Sequence, residues 1–495
     1  MEYLVTAEEM KKYDENAIER IGIPDLVLME RAALCTCDVI LNCFETGEMP
    51  LAKLNILILA GTGNNGADGL ALGRLLCDRG VSVDIFCPTD MSKVSPAWQK
   101  QSEILKKYGM SVVRKMPDKE YNIIVDAIFG IGLNRDIDGQ LAEIIEKVNF
   151  RDAKRIAMDL PTGIHADTGR IMGCAFRADI TVTYGFVKRG LVLRPGLEYA
   201  GKVVKADIGI SEKCFFDSFP QMYYYNESAP EVLPLRTADG HKGTFGKVLL
   251  IAGSVNMAGA AILAAKAAYR IGAGMVKILS SKKNRVIIQE SIPEALFGTP
   301  DQLEDALLWA DIVIIGPGIG TRSEAKMCLK KVITKSSLPL VLDADALNLL
   351  AKDEQLQRLL SNRQETTVIT PHIAELSRLM NIPVSEVQDD LYHCAMALAG
   401  KLHVTVVAKC SQTYICEENH PTCLNIYGNS GMGTAGSGDV LAGVIGGLMG
   451  QGVEGYHAAA QGVFLHAKAG DAVRDCRGEH FLMAGDIVEK LGQIR

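Results

Sequence analysis

Short apolar runs, each followed by a glycine-rich or polar turn and a helical pattern, recur along most of this chain. In the first half, four such runs are candidate strands: 54–60, 81–87, 122–128 and 155–158. Because these runs are apolar throughout, they predict parallel strands that helices cover on both faces. Residues 1–50 are predicted to be helical, with Thr6 and Glu9 as a capping box, and 70–79 predict an amphipathic helix.

A second series of apolar runs begins at Lys247. Its candidate strands are 248–252, 275–279, 311–315, 340–343, 367–369 and 404–408, and an alanine-rich helix is predicted at 258–271. Between the two series, residues 215–235 contain aromatic residues and three prolines without a clear period. Since 495 residues are too many for one core, we predict two α/β domains, 1–214 and 236–495, joined by a connection at 215–235.

Composition narrows the class of protein. A hydrophobic content of 48% with 22% charged residues is typical of a soluble globular protein. The net charge of −7 and the lack of a basic run argue against nucleic acid or an anionic membrane as a partner. The 13 cysteines are scattered without a CxxC pair, which is typical of reduced thiols. With no signal-peptide pattern and no apolar run of membrane length, we expect a cytoplasmic protein.

One glycine-rich stretch, Gly-Met-Gly-Thr-Ala-Gly-Ser-Gly-Asp at 431–439, precedes an apolar segment that predicts a helix at 440–449. Its glycines allow several backbone N–H groups to face one anion at the positive end of that helix. Asp439 falls at the helix start. Its carboxylate could cap the helix, or it could take a proton from a nucleophilic hydroxyl.

A second glycine-rich turn, 61–69, follows the first candidate strand. Its Gly-x-Gly-x-x-Gly spacing fits a phosphate-binding turn, but it lacks the Gly-Lys-Ser/Thr ending of a nucleoside triphosphate loop. Asp126 and Asp159 end two neighbouring candidate strands, and Thr162 follows closely. Oxygen atoms gathered in this way suit a hard cation, including a monovalent one, or proton transfer. The alternative is that these residues only cap helices and form turns.

Four stretches of the first half, 14–33, 63–69, 126–133 and 159–163, resemble the NAD(P)H-hydrate epimerase domain. The resemblance implies that a hydrated reduced dinucleotide contacts Asn64, Asn65, Gly66, Ala67, Asp68, Gly130, Ile131, Gly132, Leu133, Asn134, Arg135, Asp136 and Asp159. It also implies a potassium site at Asn65, Asp126 and Thr162, with threonine where the family more often has serine. Asp159 is then the candidate for proton transfer.

The second half resembles the ribokinase-like superfamily and, within it, the ADP/ATP-dependent NAD(P)H-hydrate dehydratases. The matching stretches, besides 431–439, are 241–243, 253–261, 270–274, 316–320, 343–348 and 370–372. The resemblance implies that Ala260, Gly318, His372 and Asp439 face the hydrated dinucleotide. It implies that the adenine nucleotide is held by Lys409, Cys410, Ser411, Gln412, Thr413 and Gly438.

Two departures from the family pattern accompany this second resemblance. Cys410 stands where glycine is usual, so nucleotide binding would be weakened if that position needs a positive φ or a very close backbone approach. After His372 the chain has Ile-Ala-Glu where Pro-Gly-Glu is usual. Taken alone, His372 is more simply a core or helix-capping histidine than a ligand residue.

Together the resemblances imply a Rossmann-like three-layer sandwich followed by a ribokinase-like three-layer sandwich. They imply a repair enzyme that interconverts the R and S hydrates of NADH and NADPH. It would then dehydrate the S form with ADP and Mg²⁺, releasing AMP and phosphate. A homo-oligomer is expected. Two alternatives stay open at this point: a ribokinase-like kinase of small alcohols, and a scaffold that binds dinucleotides without turnover.

Overall fold

The computed structural model describes residues 1–43, 53–227 and 233–493. The chain divides into two compact units, Glu2–Gln221 and Met222–Arg495. This division falls inside the stretch predicted as a connection, 215–235, of which 228–232 lie outside the described residues. The rest of that stretch is folded: Phe215 is buried in the first unit and Met222–Tyr224 is a strand of the second.

The first unit contains a seven-stranded sheet in which every strand pairing is parallel. From one edge to the other its strands are Val112–Val113, Ser82–Phe86, Asn55–Ala60, Ile123–Ala127, Lys154–Met158, Ile180–Tyr184 and Lys202–Ala206. The four predicted strands are all present. The last two strands were missed because their polar residues break up the apolar pattern, and Val112–Val113 was missed because it has only two residues.

The strand Asn55–Ala60 is apolar from Ile56 onward because side chains on both of its faces are buried. Ile56, Ile58 and Ala60 contribute to one hydrophobic core, whereas Leu57 and Leu59 contribute to another. Successive side chains of a strand point to opposite faces, so helices cover both sides of the sheet. The predicted α/β class with a parallel sheet is therefore confirmed.

The helices of the first unit flank this sheet. They are Ala7–Glu15, the π-helix Asn16–Ile21, Asp25–Asn42, Asn64–Asp78, Pro96–Lys107, Gly139–Asn149 and Gly196–Ala200. The predicted capping box is confirmed: Thr6 Oγ1 accepts from the Glu9 N–H at 3.1 Å, and Glu9 accepts from the Thr6 N–H at 2.7 Å. Residues 1–50 are not helical throughout, since Glu2–Val5 is a strand paired with Val187–Lys188, and 44–50 lie outside the described residues.

The order of these strands places a ligand site. From the central strand Asn55–Ala60 the chain first builds one side of the sheet and then returns to Ile123–Ala127 on the other side. In open parallel sheets, ligands bind at the carboxyl ends of the strands where this reversal occurs. The turn at 61–69 follows the first of these two strands, and Asp126 lies in the second.

The second unit also contains a largely parallel sheet. Its strand order is Leu296–Gly298, Met275–Leu279, Lys247–Ile251, Ile312–Ile315, Leu340–Leu342, Thr367–Ile369, Thr405–Ala408, Tyr414–Cys416, Thr422–Leu424 and Met222–Tyr224. Of these, Tyr414–Cys416 runs antiparallel to both of its neighbours. All six predicted strands are present, whereas the edge strand Leu296–Gly298 and the three strands beyond Thr405–Ala408 were not foreseen.

Helices surround the second sheet as well. They are Ala258–Arg270, Arg285–Ser291, Leu303–Trp309, Ser323–Lys335, Asp345–Ala351, Glu354–Ser361, Ile373–Met380, Val384–Asp389, Leu391–Leu402, Ser437–Gly450, Gly455–Arg477 and Ala484–Leu491. The helix Ser437–Gly450 packs tightly on Ala258–Arg270, since a Cβ built on Gly443 would lie 2.1 Å from the Ala264 carbonyl oxygen. Within the described ranges, none of the helices has the length and apolar character that a bilayer crossing requires.

Candidate active sites at the carboxyl ends of the two sheets

The turn at 61–69 needs its glycines because other backbone atoms approach them closely. A Cβ built on Gly66 would lie 1.9 Å from the Gly61 carbonyl oxygen, and one built on Gly61 would lie 2.1 Å from the Ile128 carbonyl oxygen. This packing lets the helix begin at Asn64, earlier than the predicted residue 70. Asn64 and Asn65 therefore occupy the first helical turn, at the point where the strand order reverses.

The expected potassium site consists of Asp126, Thr162 and Asn65, and the first two of these residues are in direct contact. Asp126 is fully buried, and it accepts hydrogen bonds from the Thr162 N–H and Thr162 Oγ1, both at 2.7 Å. Burial raises the pKa of Asp126 to about 6, against the effect of these hydrogen bonds. Both polar atoms of the Asn65 amide are buried without a hydrogen-bond partner in the described part of the chain. A buried carboxylate and a buried amide oxygen without a hydrogen-bond partner are both oxygen ligands of the kind that a cation binds.

Asp159 forms an ion pair that the sequence did not indicate. Lys188 Nζ lies 2.5 Å from Asp159 Oδ1, and the lysine side chain is only 1% exposed. The same ammonium donates to Tyr184 O at 2.8 Å and to Thr183 Oγ1 at 3.2 Å, so all three of its protons have acceptors. Asp159 itself has a positive φ of 66°. The sequence signal for this pair is a lysine directly after the stretch 180–187, which was not recognised as a strand because threonines and a glycine interrupt its apolar residues.

Asn65, Asp159 and Lys188 line a cavity of about 680 Å³ in the first unit, whereas Asp126 and Thr162 do not line it. Of the residues assigned to the dinucleotide, the cavity is lined by Asn64, Asn65, Asp68, Gly130, Ile131, Gly132 and Asp159. The remaining ones, Gly66, Ala67, Leu133, Asn134, Arg135 and Asp136, do not line it. Asp14, Tyr184 and Lys188 line it in addition. Burial and the nearby Asp159 and Asp14 carboxylates hold the pKa of Asp68 well above its usual range.

In the second unit, the stretch 431–439 leads into the helix Ser437–Gly450 through a left-handed residue, Gly436, with φ 93°. A Cβ at Gly436 would also lie 2.4 Å from Leu263 Cδ1, so glycine is required there on both counts. No side chain caps this helix in the described structure. Asp439 therefore lies in the first helical turn and does not cap it, which removes the capping alternative. The open N–H groups of the first turn can bind an anion.

Asp439 lies in a charged cluster at the carboxyl ends of two strands. Lys409 Nζ contacts Asp343 Oδ1 at 2.8 Å, and a Cβ on Gly438 would lie 3.4 Å from the same ammonium. Burial, followed by the Asp343 carboxylate, raises the pKa of Asp439 to about 6, while Lys409 opposes this shift. Ala344, next to Asp343, has a positive φ of 48°, a strained conformation of the kind that clusters at functional sites. A carboxylate with such a pKa suits a general base near neutral pH.

His372 lies beside this cluster and caps a helix. Its Nδ1 accepts from the Ala374 N–H at 3.1 Å and from the Glu375 N–H at 3.4 Å, and Glu375 accepts from the His372 N–H at 2.9 Å. The Ile-Ala-Glu departure thus keeps the capping glutamate. His372 also pairs with Lys409 as a single parallel bridge, and its side chain is half exposed. Burial and the Lys409 ammonium lower its pKa, so the ring is neutral. Capping and substrate contact are therefore compatible.

Ala260 and Gly318 are brought together by the packing of two loops and a helix. A Cβ on Gly318 would lie 3.2 Å from Ala260 Cβ, and Gly318 has a positive φ of 60°. Ala260 is one helical turn before Leu263, the residue that contacts Gly436. Ala260, with Gly318 next to it, thus lies on the side of the helix Ala258–Arg270 that faces the 431–439 loop.

The nucleotide stretch 409–413 forms a turn directly after the strand Thr405–Ala408. Cys410 does not have a positive φ, so the strain that a side chain would cause there does not arise. Its thiol donates to the Gln412 carbonyl at 2.8 Å and accepts from the Gln412 N–H at 3.3 Å. Burial raises the pKa of the Cys410 thiol, so it is neutral and shapes the turn.

Comparisons with known proteins match both units. The family model described as NAD(P)H-hydrate dehydratase matches residues 248–492, and the one described as YjeF-related protein N-terminus matches residues 25–190. A relative from Moorella thermoacetica, named bifunctional NAD(P)H-hydrate repair enzyme, is 36% identical over 99% of this chain and 96% of its own length. A relative of the same name from Escherichia coli is 31% identical over 99% of this chain and 93% of its own length.

Among solved structures, the ADP/ATP-dependent NAD(P)H-hydrate dehydratase from Bacillus subtilis, co-crystallised with ATP/Mg²⁺, is 32% identical with a TM-score of 0.49. It covers 53% of this chain, and the match spans 92% of that structure. The resemblance found in the sequence is confirmed by the relatives that match along nearly the whole chain. The chain belongs to the family of bifunctional NAD(P)H-hydrate repair enzymes.

Proposed function

We propose that the first domain, 1–214, interconverts the R and S hydrates of NADH and NADPH. The second, 236–495, then dehydrates the S hydrate with ADP, releasing AMP and phosphate. The observation that carries this proposal is Asp439, an acid with a pKa of about 6 at an uncapped helix start beside the Lys409 ammonium. Such a site supplies a base for a hydroxyl and N–H donors for a phosphoryl group.

The proposed dehydration converts a poor leaving group into a good one. Asp439 takes the proton from the C6 hydroxyl of the hydrated nicotinamide ring, and that oxygen forms a bond to the β-phosphorus of ADP as AMP departs. The ring nitrogen then donates its electron pair as the C6–O bond breaks and phosphate leaves. Loss of a proton from C5 restores the reduced ring. N–H groups at the start of the helix Ser437–Gly450 and Lys409 stabilise the transferring phosphoryl group.

Magnesium would neutralise phosphate charge in this step. The described residues contain no group of three or more His, Cys, Asp and Glu side chains arranged to hold a metal ion. Asp343 is already engaged by Lys409 and by the Thr370 hydroxyl at 2.6 Å. These observations fit a magnesium ion that arrives with the nucleotide, as Mg²⁺ is often bound through one or two carboxylates and substrate phosphates.

For epimerisation we assign proton transfer to Asp159, in the cavity of the first unit: its carboxylate takes the proton of the C6 hydroxyl and delivers it to the ring nitrogen as the C6–N1 bond breaks, and the reverse transfer closes the ring on the other face of C6. Lys188 holds the Asp159 carboxylate at a fixed place, since its other two protons are bound by Tyr184 O and Thr183 Oγ1. Potassium at Asp126, Thr162 and Asn65 would balance a buried negative charge and bind the Asn65 amide oxygen. A cation at that site would hold the turn at 61–69 in position next to the substrate.

We further propose a cytoplasmic location, which is supported by 13 cysteines that are all free thiols, and a homo-oligomeric state. The test of function is to incubate the purified chain with R-hydrated or S-hydrated NADH, with and without ADP, Mg²⁺ and K⁺. Recovery of reduced-nicotinamide absorbance from both epimers, only with ADP, is expected. A stable phosphorylated hydrate would instead indicate a kinase, and no recovery from either epimer would defeat the proposal.

A further inference from the structure

The second unit has another cavity, of about 950 Å³, in which none of the residues assigned above takes part. It opens at the carboxyl ends of Lys247–Ile251, Met275–Leu279 and Leu296–Gly298, toward one edge of the sheet. Ala260, Gly318, His372, Asp439 and the nucleotide stretch 409–413 do not line it. Its volume lies within the range that binds small organic ligands.

This cavity begins next to Gly318, one of the residues assigned to the hydrated dinucleotide. Ser254 and Ile319 line the cavity. Ile319 follows Gly318 in the chain, and the Ser254 N–H donates a hydrogen bond to the Gly318 carbonyl at 2.5 Å. In the strand order, the cavity lies on one side of Ile312–Ile315, whereas the turn 409–413 follows a strand on the other side. With ADP at that turn, the cavity offers the rest of a dinucleotide bound at Gly318 a place on the opposite side of Ile312–Ile315.

The lining suits an aromatic base that carries phosphate. Lys282, Arg285 and Arg322 line the cavity, and none of them forms a salt bridge within the described residues. Phe297 and Ile319 supply apolar surface, and Val255 at the rim is 47% exposed. The two carboxylates of the lining are each hydrogen-bonded by a neighbouring hydroxyl: Asp301 by Thr299 and Glu324 by Ser323. Three cations without ion-pair partners around a partly apolar cavity favour a phosphorylated nucleoside.

We propose that this cavity binds the adenosine half of the hydrated dinucleotide and that its basic side chains recognise the phosphate groups, above all the 2′-phosphate of hydrated NADPH. The inference rests on the proposed dehydratase function and deepens it. It makes hydrated NADPH the preferred substrate of the second unit, because hydrated NADH lacks the 2′-phosphate. The second unit would then have two adenosine positions: the adenosine of the dinucleotide lies in this cavity, and the adenosine of ADP lies at 409–413.

The test compares charge-reversal variants at the cavity with a matched control. Arg322→Glu and Lys282→Glu are expected to raise KM for S-hydrated NADPH about five-fold or more, with kcat and the KM for ADP within about two-fold of the parent. Lys283→Glu is the control, because Lys283 is an equally exposed neighbour that does not line the cavity. Hydrated nicotinamide mononucleotide lacks the adenosine half, so its KM is expected to be the same in all four proteins.

Two results would overturn the inference: an unchanged KM for hydrated NADPH in both cavity variants, or an equal rise for the hydrated mononucleotide. A binding measurement separates this inference from the proposed function. Adenosine 2′,5′-bisphosphate is expected to bind the parent chain without competing with ADP, and Arg322→Glu is expected to weaken that binding about five-fold. If the bisphosphate binds in this way but no hydrate is dehydrated, the dehydratase proposal alone is wrong. Competition with ADP would remove the second adenosine position.

Discussion

The Lys188 ammonium lies 2.5 Å from a carboxylate oxygen of Asp159, and both groups are almost completely removed from solvent. Two buried charges are stable together only because each compensates the other and further hydrogen bonds satisfy the ammonium. The pair faces the cavity that Asn64, Asn65 and Gly130 also line. It is therefore both a structural element of the first unit and the place at which we assign proton exchange.

The two roles of this pair can be separated by substitution. Lys188→Met or Asp159→Asn alone leaves one buried charge unpaired, so each is expected to destabilise the first unit by about 3–5 kcal/mol. The double variant Lys188→Met/Asp159→Asn removes both charges and is expected to regain most of that stability, measured by denaturant unfolding. All three are expected to lose conversion of the R hydrate while still dehydrating the S hydrate.

A matched control for this experiment is Lys205→Met. It breaks the more exposed ion pair between Lys205 and Glu2, so its expected cost is below about 1 kcal/mol. Epimerisation should be unaffected in this variant. If the double variant at Lys188 and Asp159 recovered epimerase activity together with stability, the pair would be structural only.

The raised pKa of Asp439 predicts how the dehydration of the S hydrate depends on pH. Burial and the Asp343 carboxylate raise its pKa to about 6, so the carboxylate is protonated below that pH and cannot act as a base. We expect kcat/KM for the S hydrate to be flat above about pH 7 and to fall about ten-fold per pH unit below pH 6. Asp439→Asn is expected to lower kcat by about 10²–10⁴-fold and to leave epimerisation unchanged.

Substitution of the neighbouring Asp345 tests this assignment, because it should shift the pKa of Asp439 in a known direction. Its carboxylate contributes to the raised pKa of Asp439, so Asp345→Asn is expected to move the midpoint of the pH profile to lower pH. The measurement is a pH profile of initial rates at saturating ADP. A midpoint that moves to higher pH, or a profile that is flat to about pH 4.5, would show that another group titrates.

Asp126 predicts how potassium affects stability. Burial raises the pKa of Asp126 from 3.8 to about 6. Without a cation, the folded state therefore binds a proton at Asp126 more tightly than the unfolded state does. The protein then loses stability as the pH rises through 6. A bound cation offsets this loss above that pH. We expect KCl, compared with an organic-cation chloride, to raise the melting temperature at about pH 7.5 and to have little effect at about pH 5.

Substitution at this position checks that the effect belongs to the assigned site. Asp126→Asn is expected to abolish the dependence of the melting temperature on KCl. Asp152→Asn changes an exposed carboxylate of the same unit and is expected to preserve it. A potassium effect that survives Asp126→Asn would place the cation elsewhere.

The backbone conformation at Cys410 predicts that cysteine in place of glycine does not impair nucleotide binding. Because this residue does not have a positive φ, Cys410→Gly is expected to change the KM for ADP by less than about two-fold. The same variant loses the thiol contacts to Gln412 and gains chain entropy when unfolded, so it is expected to lose about 1 kcal/mol of stability. Cys410→Ala distinguishes the thiol from the Cβ. A ten-fold lower KM in the glycine variant alone would mean that the Cβ obstructs the nucleotide.

Much of the fold could be predicted from local patterns. The central strands Asn55–Ala60 and Ile123–Ala127 are apolar except at Asn55 and Asp126, because helices cover both of their faces. Strands with polar residues, such as Lys202–Ala206, were missed because an edge strand does not need a continuous apolar run. The start of the helix at Asn64 was misplaced because its first turn is rich in glycine and asparagine.

The sequence by itself determined the family, the two α/β units and the residues at the strand ends, since each of these depends on neighbouring positions in the chain. Only the tertiary structure decided how those residues are charged and paired. Lys409 meets Asp343 across 66 positions, and Lys188 meets Asp159 across 29. The Asn65 amide is left unsatisfied by the packing around it. Burial and charge pairing depend on what the fold brings together, so they set the chemistry of both sites in a way that no local pattern can show.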